Sequence, residues 1–237
     1  WFRIRLSNKR KEEIEMSKKL TVEVINKLIG VNDSYKAPEK LMSIMLNKEE
    51  REKLFRSFLE IETDVNEDWF HMYFQDEHAD RKVKKQDFTP VSITQLLSEL
   101  SVTNNDNGMR LDVAAGTGGL TITKWNTDRI NTNFFEYKPS MFMYVCEELS
   151  DRAIPFLLFN LAIRGMDAVV LHGDTLTREF NQCYFIQNDY DNFLGFSSIN
   201  IMPQSIDVME MYDIRDWLED ENIHIESPTM DQLPMFN

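Results

Sequence analysis

Residues 111–120 place the strongest constraint on the fold of this chain, because they join a short apolar run to a glycine-rich turn. The turn contains Gly116, Gly118 and Gly119 and leads into an apolar segment that is compatible with a helix. Glycine has no Cβ, so it allows positive φ angles and lets a ligand approach the backbone closely. A strand, a tight glycine turn and a helix N-terminus form the usual nucleotide crevice of open α/β sheets. The alternative is a structural turn that holds no ligand.

The segments after this turn alternate between strand-like and helix-like patterns. Strands are predicted at residues 142–146, 168–171 and 184–187, and helices at residues 121–129 and 151–165. Such alternation is typical of a parallel, doubly wound α/β sheet with helices on its faces. Ligands of these sheets bind beyond the carboxyl ends of the strands. The sequence therefore predicts a Rossmann-like fold whose ligand site lies at the strand ends that carry the glycines and the acids.

Acidic residues follow the predicted second and third strands, where a ligand would lie. Glu148, with Glu147 as the alternative, is placed to accept hydrogen bonds from ribose hydroxyls, and Asp174 to accept one from an adenine amino group. Each acid taken singly is equally compatible with a solvated loop residue. Together with the glycine turn, they favour a ligand that contains adenosine. The turn lacks the lysine of the phosphate-binding pattern GxxxxGKS/T, so the sequence disfavours ATP.

Two short motifs occur in order along the chain: Phe88-Thr89-Pro90, and then DVAAGTGG at residues 112–119. They resemble F-T-P and D-P-A-C-G-T-G-G, the paired signature of N-6 adenine-specific DNA methyltransferases. Residues 146–166 are similar to the ribose-binding strand and helix of that family, and residues 173–176 to its G-D-S/T-L element. The similarity covers about residues 80–190. Within that family, the sequence is similar to the modification subunit of type I restriction-modification systems and its relatives, which are often carried by phages.

The resemblance implies a Rossmann-like S-adenosylmethionine-dependent methyltransferase sheet with a helical N-terminal extension. S-Adenosylmethionine is the implied cofactor, and no metal is expected. In this interpretation Asp112 helps to hold the methionine end of the cofactor, and the glycines let the backbone approach it. The implied cofactor-binding residues are Phe88, Thr89, Pro90, Asp112, Ala114, Gly116, Thr117, Gly118, Gly119, Glu148 and Asp174.

The resemblance is incomplete at the catalytic loop. Members of the family carry N-P-P-Y/F after the fourth strand, where an amide and a backbone carbonyl bind the flipped adenine amino group and a ring stacks on the base. This chain reads QNDYDNF at residues 187–193, with both prolines missing and two aspartates added. The implied catalytic residues are Asn188, which would supply the amide, and Tyr190 or Phe193, which would supply the ring.

Four segments are predicted along the chain. Residues 1–15 are interpreted as a leader, because this run is basic and a helix-like pattern begins after Met16. Residues 16–78 are expected to form a helical N-terminal region, residues 79–205 a methyltransferase-like α/β domain, and residues 206–237 an acidic, irregular C-terminal tail. About 45 residues follow the predicted catalytic loop. A complete enzyme of the family has three further strands there, so the sheet is expected to be shortened at its C-terminal half.

The net charge of −14 bears on the partners of the chain. A protein that binds DNA by itself usually has a basic face that neutralises phosphates. Here residues 207–237 contain nine acids and one basic residue, Arg215. The basic run at residues 81–85 is compatible with phosphate contact or with a solvated loop. We therefore expect DNA to be bound only with a partner protein, and the acidic end to be solvated or to contact a basic protein surface.

Cysteine content and hydropathy indicate the compartment. Cys146 and Cys183 lie in apolar, strand-like runs, and buried free thiols in a reducing cytoplasm explain them better than a disulfide or a metal site. No apolar run reaches the roughly 18 residues that a membrane span needs. A cytoplasmic protein without membrane contact is therefore expected.

Two functions from different classes remain open at this stage. The first is an N-6 adenine DNA methyltransferase, or one subunit of such an enzyme. The second is a catalytically inactive methyltransferase-like protein that acts through protein–protein interaction, for example as a phage-encoded regulator of a host or mobile-element protein. The glycine turn and the acids support the first, and the missing prolines and the acidic balance support the second. Methylation of a small molecule or a protein is disfavoured, because the motif order follows the adenine family.

Overall fold

Among the described residues, three helices precede the sheet: α1 (Val22–Ile29), α2 (Ala37–Met45) and α3 (Lys48–Leu59), with a 3-10 turn at Ser34–Lys36. The computed structural model describes residues 20–74 and 109–230 of the chain. The hydroxyl of Thr21 caps α1 by accepting a hydrogen bond from the Val24 amide, and the side chain of Asn47 caps α3 in the same way. Helices therefore occur in the described part of the N-terminal region that the sequence predicts to be helical.

The part of the sheet formed by residues 109–230 has six strands: β1 (Arg110–Val113), β2 (Met143–Glu148), β3 (Asp167–Asp174), β4 (Glu179–Gln187), β5 (Ser198–Ile201) and β6 (Asp216–Trp217). Its order is β1-β2-β3-β4-β5, and β6 pairs with one end of β4. The first three strands are parallel and are connected through α4 (Gly119–Asn131) and α5 (Ile154–Ile163), with a 3-10 turn at Pro139–Met141 before β2. The Rossmann-like α/β class predicted from the sequence is confirmed.

The fourth strand runs in the opposite direction from the prediction. It begins at Glu179 and pairs antiparallel with β3, so that Ala168 lies opposite Ile186. Only residues 175–178 separate the two strands. A parallel connection needs a crossover of a dozen or more residues, so this short link permits only a hairpin. The sheet is therefore mixed, and the carboxyl end of β4 lies at the amino end of β3.

Two hydrophobic cores cover the two faces of the sheet. On one face, Cys146 and Val170 pack with α4, α5 and the three N-terminal helices in a single continuous core. Aromatic side chains of α3 and of the segment near residue 70 belong to this core, because the rings of Phe58 and Phe70 lie 4.7 and 5.0 Å from that of Phe159. The N-terminal region is therefore packed on the sheet as part of the same unit.

The residues after 205 are not an irregular tail over their described length. They form α6 (Ile206–Tyr212) and β6, and they cover the second face of the sheet with Val208, Ile214 and Met230. Most acids of this segment are at the surface, except Glu226, whose carboxylate forms an ion pair with the buried Arg51, and three of its apolar side chains fill the core. The prediction of an irregular tail failed because these apolar residues are too widely spaced to form a periodic pattern.

Cys146 and Cys183 are buried free thiols, as predicted, and burial raises the pKa of both. Within the two described ranges, no helix is long and apolar enough to cross a membrane.

Candidate functional site

The glycine turn connects β1 to α4 at the carboxyl end of the parallel strands. Gly118 is the N-cap of α4 and has a φ of 94°, and Gly116 has a φ of 59°. A Cβ added at Gly118 would lie 2.9 Å from the side chain of Leu157 in α5. The Ala115 amide donates to the backbone carbonyl of Glu147 over 3.0 Å, which ties the turn to β2. The turn therefore needs glycine for both its backbone conformation and its packing.

Glu148 and Glu147 lie on opposite sides of the sheet, which distinguishes the two candidates for the acid that would bind the ribose hydroxyls. Glu148 accepts hydrogen bonds from the backbone amides of Gly116, over 2.7 Å, and Ser150, over 2.8 Å. Glu147 accepts two hydrogen bonds from Arg178, over 2.8 and 2.9 Å. Glu148 thus faces the glycine turn, and Glu147 forms an ion pair on the other face.

A pocket of about 600 Å³ lies between the glycine turn and the ends of β2 and β3. Its volume is within the range typical of sites for small molecules and cofactors. Gly118 is not among the lining residues and shapes the turn from behind. Phe88, Thr89, Pro90 and the basic run at residues 81–85 lie outside the described residues. The predicted cofactor residues that the structure brings together on this pocket are Asp112, Ala114, Gly116, Thr117, Gly119, Glu148 and Asp174.

The charge of the pocket is negative. Four carboxylates line it, from Asp68, Asp112, Glu148 and Asp174, and no described lining residue is a lysine or an arginine. Burial raises the pKa of Asp112, and the hydroxyl of Thr121 opposes that shift by donating a hydrogen bond of 2.6 Å to its carboxylate. A cationic ligand group would favour the ionised form of Asp112. The site is therefore better suited to a positively charged ligand than to a phosphate. Clusters of His, Cys, Asp or Glu able to hold a metal do not occur in residues 20–74 and 109–230.

Two lining residues, Asp68 and His71, come from the N-terminal region and were not predicted. The Asp68 carboxylate accepts a hydrogen bond from the Thr117 hydroxyl in the glycine turn and another, over 2.8 Å, from the Asn160 side chain in α5. Asn160 also donates to the Thr117 backbone carbonyl over 2.7 Å. The sequence signal at Asp68 is only that of a turn, since its carboxylate also accepts from the Phe70 amide. Its link to the pocket exists only in the folded chain.

A buried arginine holds the Asp68 segment in place. Arg164, which is 4% exposed, donates to the backbone carbonyls of Val65 and Glu67 over 2.7 and 2.6 Å. It also donates to the backbone and side-chain oxygens of Asn160 over 2.7 and 2.9 Å. Burial lowers the pKa of Arg164 to about 10, so it remains protonated at neutral pH. Arg164, Asn160 and Asp68 thus form one network from α5 to the glycine turn.

The predicted catalytic loop does not lie at this pocket. Because β4 is antiparallel, Asn188 follows it at the amino end of β3, where its backbone amide donates to the Asp167 carboxylate over 2.6 Å. Its side-chain amide donates to the backbone carbonyls of Gly165 and Asn192 over 3.1 and 2.9 Å. Tyr190 and Phe193 lie on the same loop, at the opposite end of the sheet from Glu148 and Asp174. The structure therefore separates the three predicted catalytic residues from the predicted cofactor residues.

Asp167 should make the stability of the chain depend on pH. Burial, with Asp189 and Asp191 nearby, raises its pKa to about 6, whereas an aspartate in an unfolded chain titrates near pH ~3.9. The folded state therefore holds more protons between these values, and stability falls as pH rises through that window. Asp167→Asn should remove this fall and increase the free energy of unfolding at pH 7 by about 2–3 kcal/mol. Urea unfolding from pH 4 to pH 8 measures both effects. A pH profile of stability that is unchanged in the variant would contradict the raised pKa of Asp167.

Comparison with known proteins identifies a family for the region that contains both Asp68 and Phe193. The family model for N-6 DNA methylase matches residues 63–193, which is more than half of the chain. No curated protein sequence matches. The matched range contains both the Asp68 turn and the β4 loop, so the N-terminal contribution to the pocket and the antiparallel strand are part of the matched region. The chain belongs to the N-6 DNA methylase family.

Proposed function

We propose that the pocket binds S-adenosylmethionine. The family uses this cofactor in general, and the observation that carries the proposal is the acid-lined pocket beside the glycine turn. S-Adenosylmethionine has a sulfonium and an ammonium group against a single carboxylate, so it is cationic. Nucleotide phosphates are anionic and would be repelled by the four carboxylates. The charge of the pocket thus favours the sulfonium cofactor over ATP or a dinucleotide.

Each acid has a distinct role in this proposal. Glu148 accepts hydrogen bonds from the ribose hydroxyls, since its carboxylate faces the pocket from the end of β2. Asp174, at the end of β3, accepts one from the adenine amino group. Asp112, held by Thr121, faces the ammonium group of the methionine end. The glycines at the start of α4 leave room for the cofactor to approach the backbone.

The reaction we propose is that of the family, transfer of a methyl group to the N-6 amino group of adenine in DNA. The cofactor supplies an activated methyl group on sulfur, and the protein contributes mainly by positioning the acceptor in line with it. The acceptor base has to be flipped out of the duplex to reach the pocket. With a net charge of −14, the chain is expected to contact DNA together with a more basic partner protein.

A second candidate is a cofactor-binding protein of the same fold that does not transfer methyl groups and acts by contacting another protein. The observation that favours it is the position of Asn188. An amide that binds the target adenine has to lie near the cofactor methyl group, whereas Asn188 hydrogen-bonds to Gly165 and Asp167 at the other end of the sheet. In this case Asn188 has a structural role in its loop.

Isothermal titration calorimetry with S-adenosylmethionine tests the shared premise. We expect binding to the unmodified chain and at least about tenfold weaker binding to Glu148→Gln, a loss of about 1.4 kcal/mol. Glu179→Gln is the control, since Glu179 pairs with Arg215 at the surface and is not among the described residues that line the pocket. The control should bind like the unmodified chain. No binding at about 1 mM cofactor, or equal binding by Glu148→Gln, would reject the proposed site.

Methyl transfer to unmethylated DNA separates the two candidates. The assay measures N-6-methyladenine by mass spectrometry after incubation with cofactor, and it includes Asn188→Ala. Transfer that is lost in this variant while cofactor affinity is retained would support the enzyme and restore Asn188 as a base-binding residue. Cofactor binding without transfer would support the second candidate.

A further inference from the structure

Two loops at the amino end of the sheet expose a cluster of large apolar side chains, which we call the aromatic patch. One loop contributes Phe134 and Phe135, which are 67% and 93% exposed. The other contributes Tyr190, Phe193 and Leu194, of which Tyr190 and Leu194 are 88% and 79% exposed. Contiguous exposed apolar surface of this kind commonly marks a site of protein–protein contact. The second loop is the one that the sequence assigns to catalysis.

Three rings of the aromatic patch, those of Phe134, Phe135 and Phe193, are packed against one another. The ring centroids of Phe134 and Phe193 lie 5.3 Å apart, and those of Phe134 and Phe135 lie 5.6 Å apart, both in edge-on geometry. Tyr137, which is buried, supports Phe193 from beneath at 6.4 Å. The patch is therefore one surface formed by two loops rather than several isolated side chains.

Hydrogen bonds hold the two loops in fixed positions. The Asp191 carboxylate accepts from both the backbone amide and the hydroxyl of Ser140, each over 2.9 Å, which joins one loop to the other. Within the second loop, the Asn188 side chain accepts from the Asn192 amide over 3.0 Å, and the Asn192 side chain accepts from the Leu194 amide over 3.0 Å. A surface that is already ordered loses little conformational entropy when a partner binds.

The charges around the aromatic patch limit the class of partner. Lys138 forms an ion pair with Asp191 and Lys48 with Asp189, so the lysines that reach the second loop are compensated. The side chain of Glu136 is exposed on the first loop. The whole chain carries −14, which opposes contact with nucleic acid and with a second copy of itself. The complementary partner combines apolar and basic residues.

We propose that the aromatic patch docks a protein segment that presents an apolar strip flanked by lysine or arginine residues. The aromatic side chains enter the apolar strip, and the net negative charge of the chain, with Glu136 exposed on the first loop, attracts the basic flanks and guides the encounter. This inference goes beyond cofactor binding, because it concerns the end of the sheet opposite the pocket. It holds whether or not the pocket binds S-adenosylmethionine.

A synthetic amphipathic peptide of leucine and lysine, labelled with a fluorophore, is the probe. Fluorescence anisotropy at about 0.15 M salt should show binding to the full chain, and at least about tenfold weaker binding to Phe134→Ser/Phe135→Ser. The control is Leu218→Ser/Ile223→Ser, because these side chains are similarly exposed, at 58% and 72%, but lie outside the aromatic patch. The control should bind like the unmodified chain. A matched peptide with glutamate in place of lysine should not bind.

Several results would overturn the proposal. The first is absence of lysine-peptide binding, and the second is equal weakening in the patch and control variants, which would indicate diffuse charge attraction. Sedimentation velocity that shows a dimer dissolved by the patch substitutions would identify a second copy as the occupant. Binding of duplex DNA that depends on the patch would identify nucleic acid instead. Tyr190→Ser/Leu194→Ser provides an independent patch variant if Phe134→Ser/Phe135→Ser does not fold.

Discussion

Gly165→Ala is expected to lower the free energy of unfolding by about 3–5 kcal/mol, whereas Gly30→Ala lowers it by about 1–2 kcal/mol. Both glycines have a positive φ, 64° and 84°, so both substitutions introduce similar backbone strain. They differ in the space around the added Cβ. At Gly30 nothing lies within 4 Å, whereas at Gly165 the Cβ would lie 2.3 Å from the Gly195 carbonyl oxygen and 2.9 Å from the Asn188 side-chain amide.

The difference in stability between the two variants measures the effect of the close contact between Gly165 and the backbone of the loop at residues 188–197. The loop of residues 188–197 packs directly on Gly165, and the Asn188 side-chain amide donates to its carbonyl over 3.1 Å. A methyl group at Gly165 has to displace that loop, because the nearest atom is a backbone oxygen rather than the end of a flexible side chain. Urea unfolding followed by circular dichroism measures both variants. Equal losses in the free energy of unfolding would show that backbone strain alone determines the effect at Gly165.

The same substitution provides a second readout at the aromatic patch. Tyr190 and Phe193 lie on the loop that Gly165→Ala would displace, so the variant should also weaken binding of the leucine–lysine peptide. Gly30→Ala, at the end of α1, should leave that binding unchanged. Both peptide titrations have to be made at a temperature at which circular dichroism shows the variants to be folded.

The parallel part of the fold could be predicted because its signals are local. The apolar runs at β2 and β3 and the glycine turn before α4 are continuous in sequence, and each defines its own element. The first half of β4 could not be predicted in this way. The side-chain amides of Asn181 and Gln182 in this half donate to the Glu219 carboxylate, over 3.0 Å, and to the Asp220 carbonyl, over 3.1 Å. Those partners come nearly forty positions later in the chain, so the segment looks like a loop until β6 is in place.

The direction of β4 determined how much of the site could be predicted. Glu148, Asp174 and the glycines follow parallel strands, and the rule that such strands end at the same edge places them together. Asn188 was expected at that edge by the same rule, and the hairpin at residues 175–178 moves it to the other. Asp68 gave no comparable signal, because its donors Thr117 and Asn160 are 49 and 92 positions away in sequence.

Arg164→Met is expected to lower the free energy of unfolding by about 3–5 kcal/mol and to weaken cofactor binding at least about tenfold. The substitution leaves the backbone carbonyls of Val65 and Glu67 without this donor and removes the hydrogen bond to the side-chain oxygen of Asn160. Asn160 is the link that orders both Asp68 and the Thr117 carbonyl in the glycine turn. The turn should therefore lose its fixed position, and the cofactor would have to order it on binding.

Arg51→Met is the matched control, because Arg51 is also a buried arginine and is 1% exposed. It donates to the Met45 carbonyl and to both carboxylate oxygens of Glu226, and it does not line the pocket. We expect a comparable loss of stability with cofactor affinity unchanged within about twofold. Calorimetry at low temperature, where both variants are folded, separates the two effects. Equal weakening of cofactor binding in both variants would show that global stability, rather than the Asp68 network, governs the site.

Asp68→Asn keeps the network testable if Arg164→Met does not fold. The variant preserves the shape of the side chain and removes its charge. It should lower the free energy of unfolding by about 1–2 kcal/mol and weaken cofactor binding several-fold. Hydrogen exchange at the amides of residues 116–119 gives a readout that needs no cofactor. Those amides should exchange faster in Asp68→Asn and Arg164→Met than in Arg51→Met when each rate is corrected for global stability. Because the turn is held through Asp68 and Asn160, the N-terminal segment acts on the pocket by fixing the backbone that the ligand has to approach.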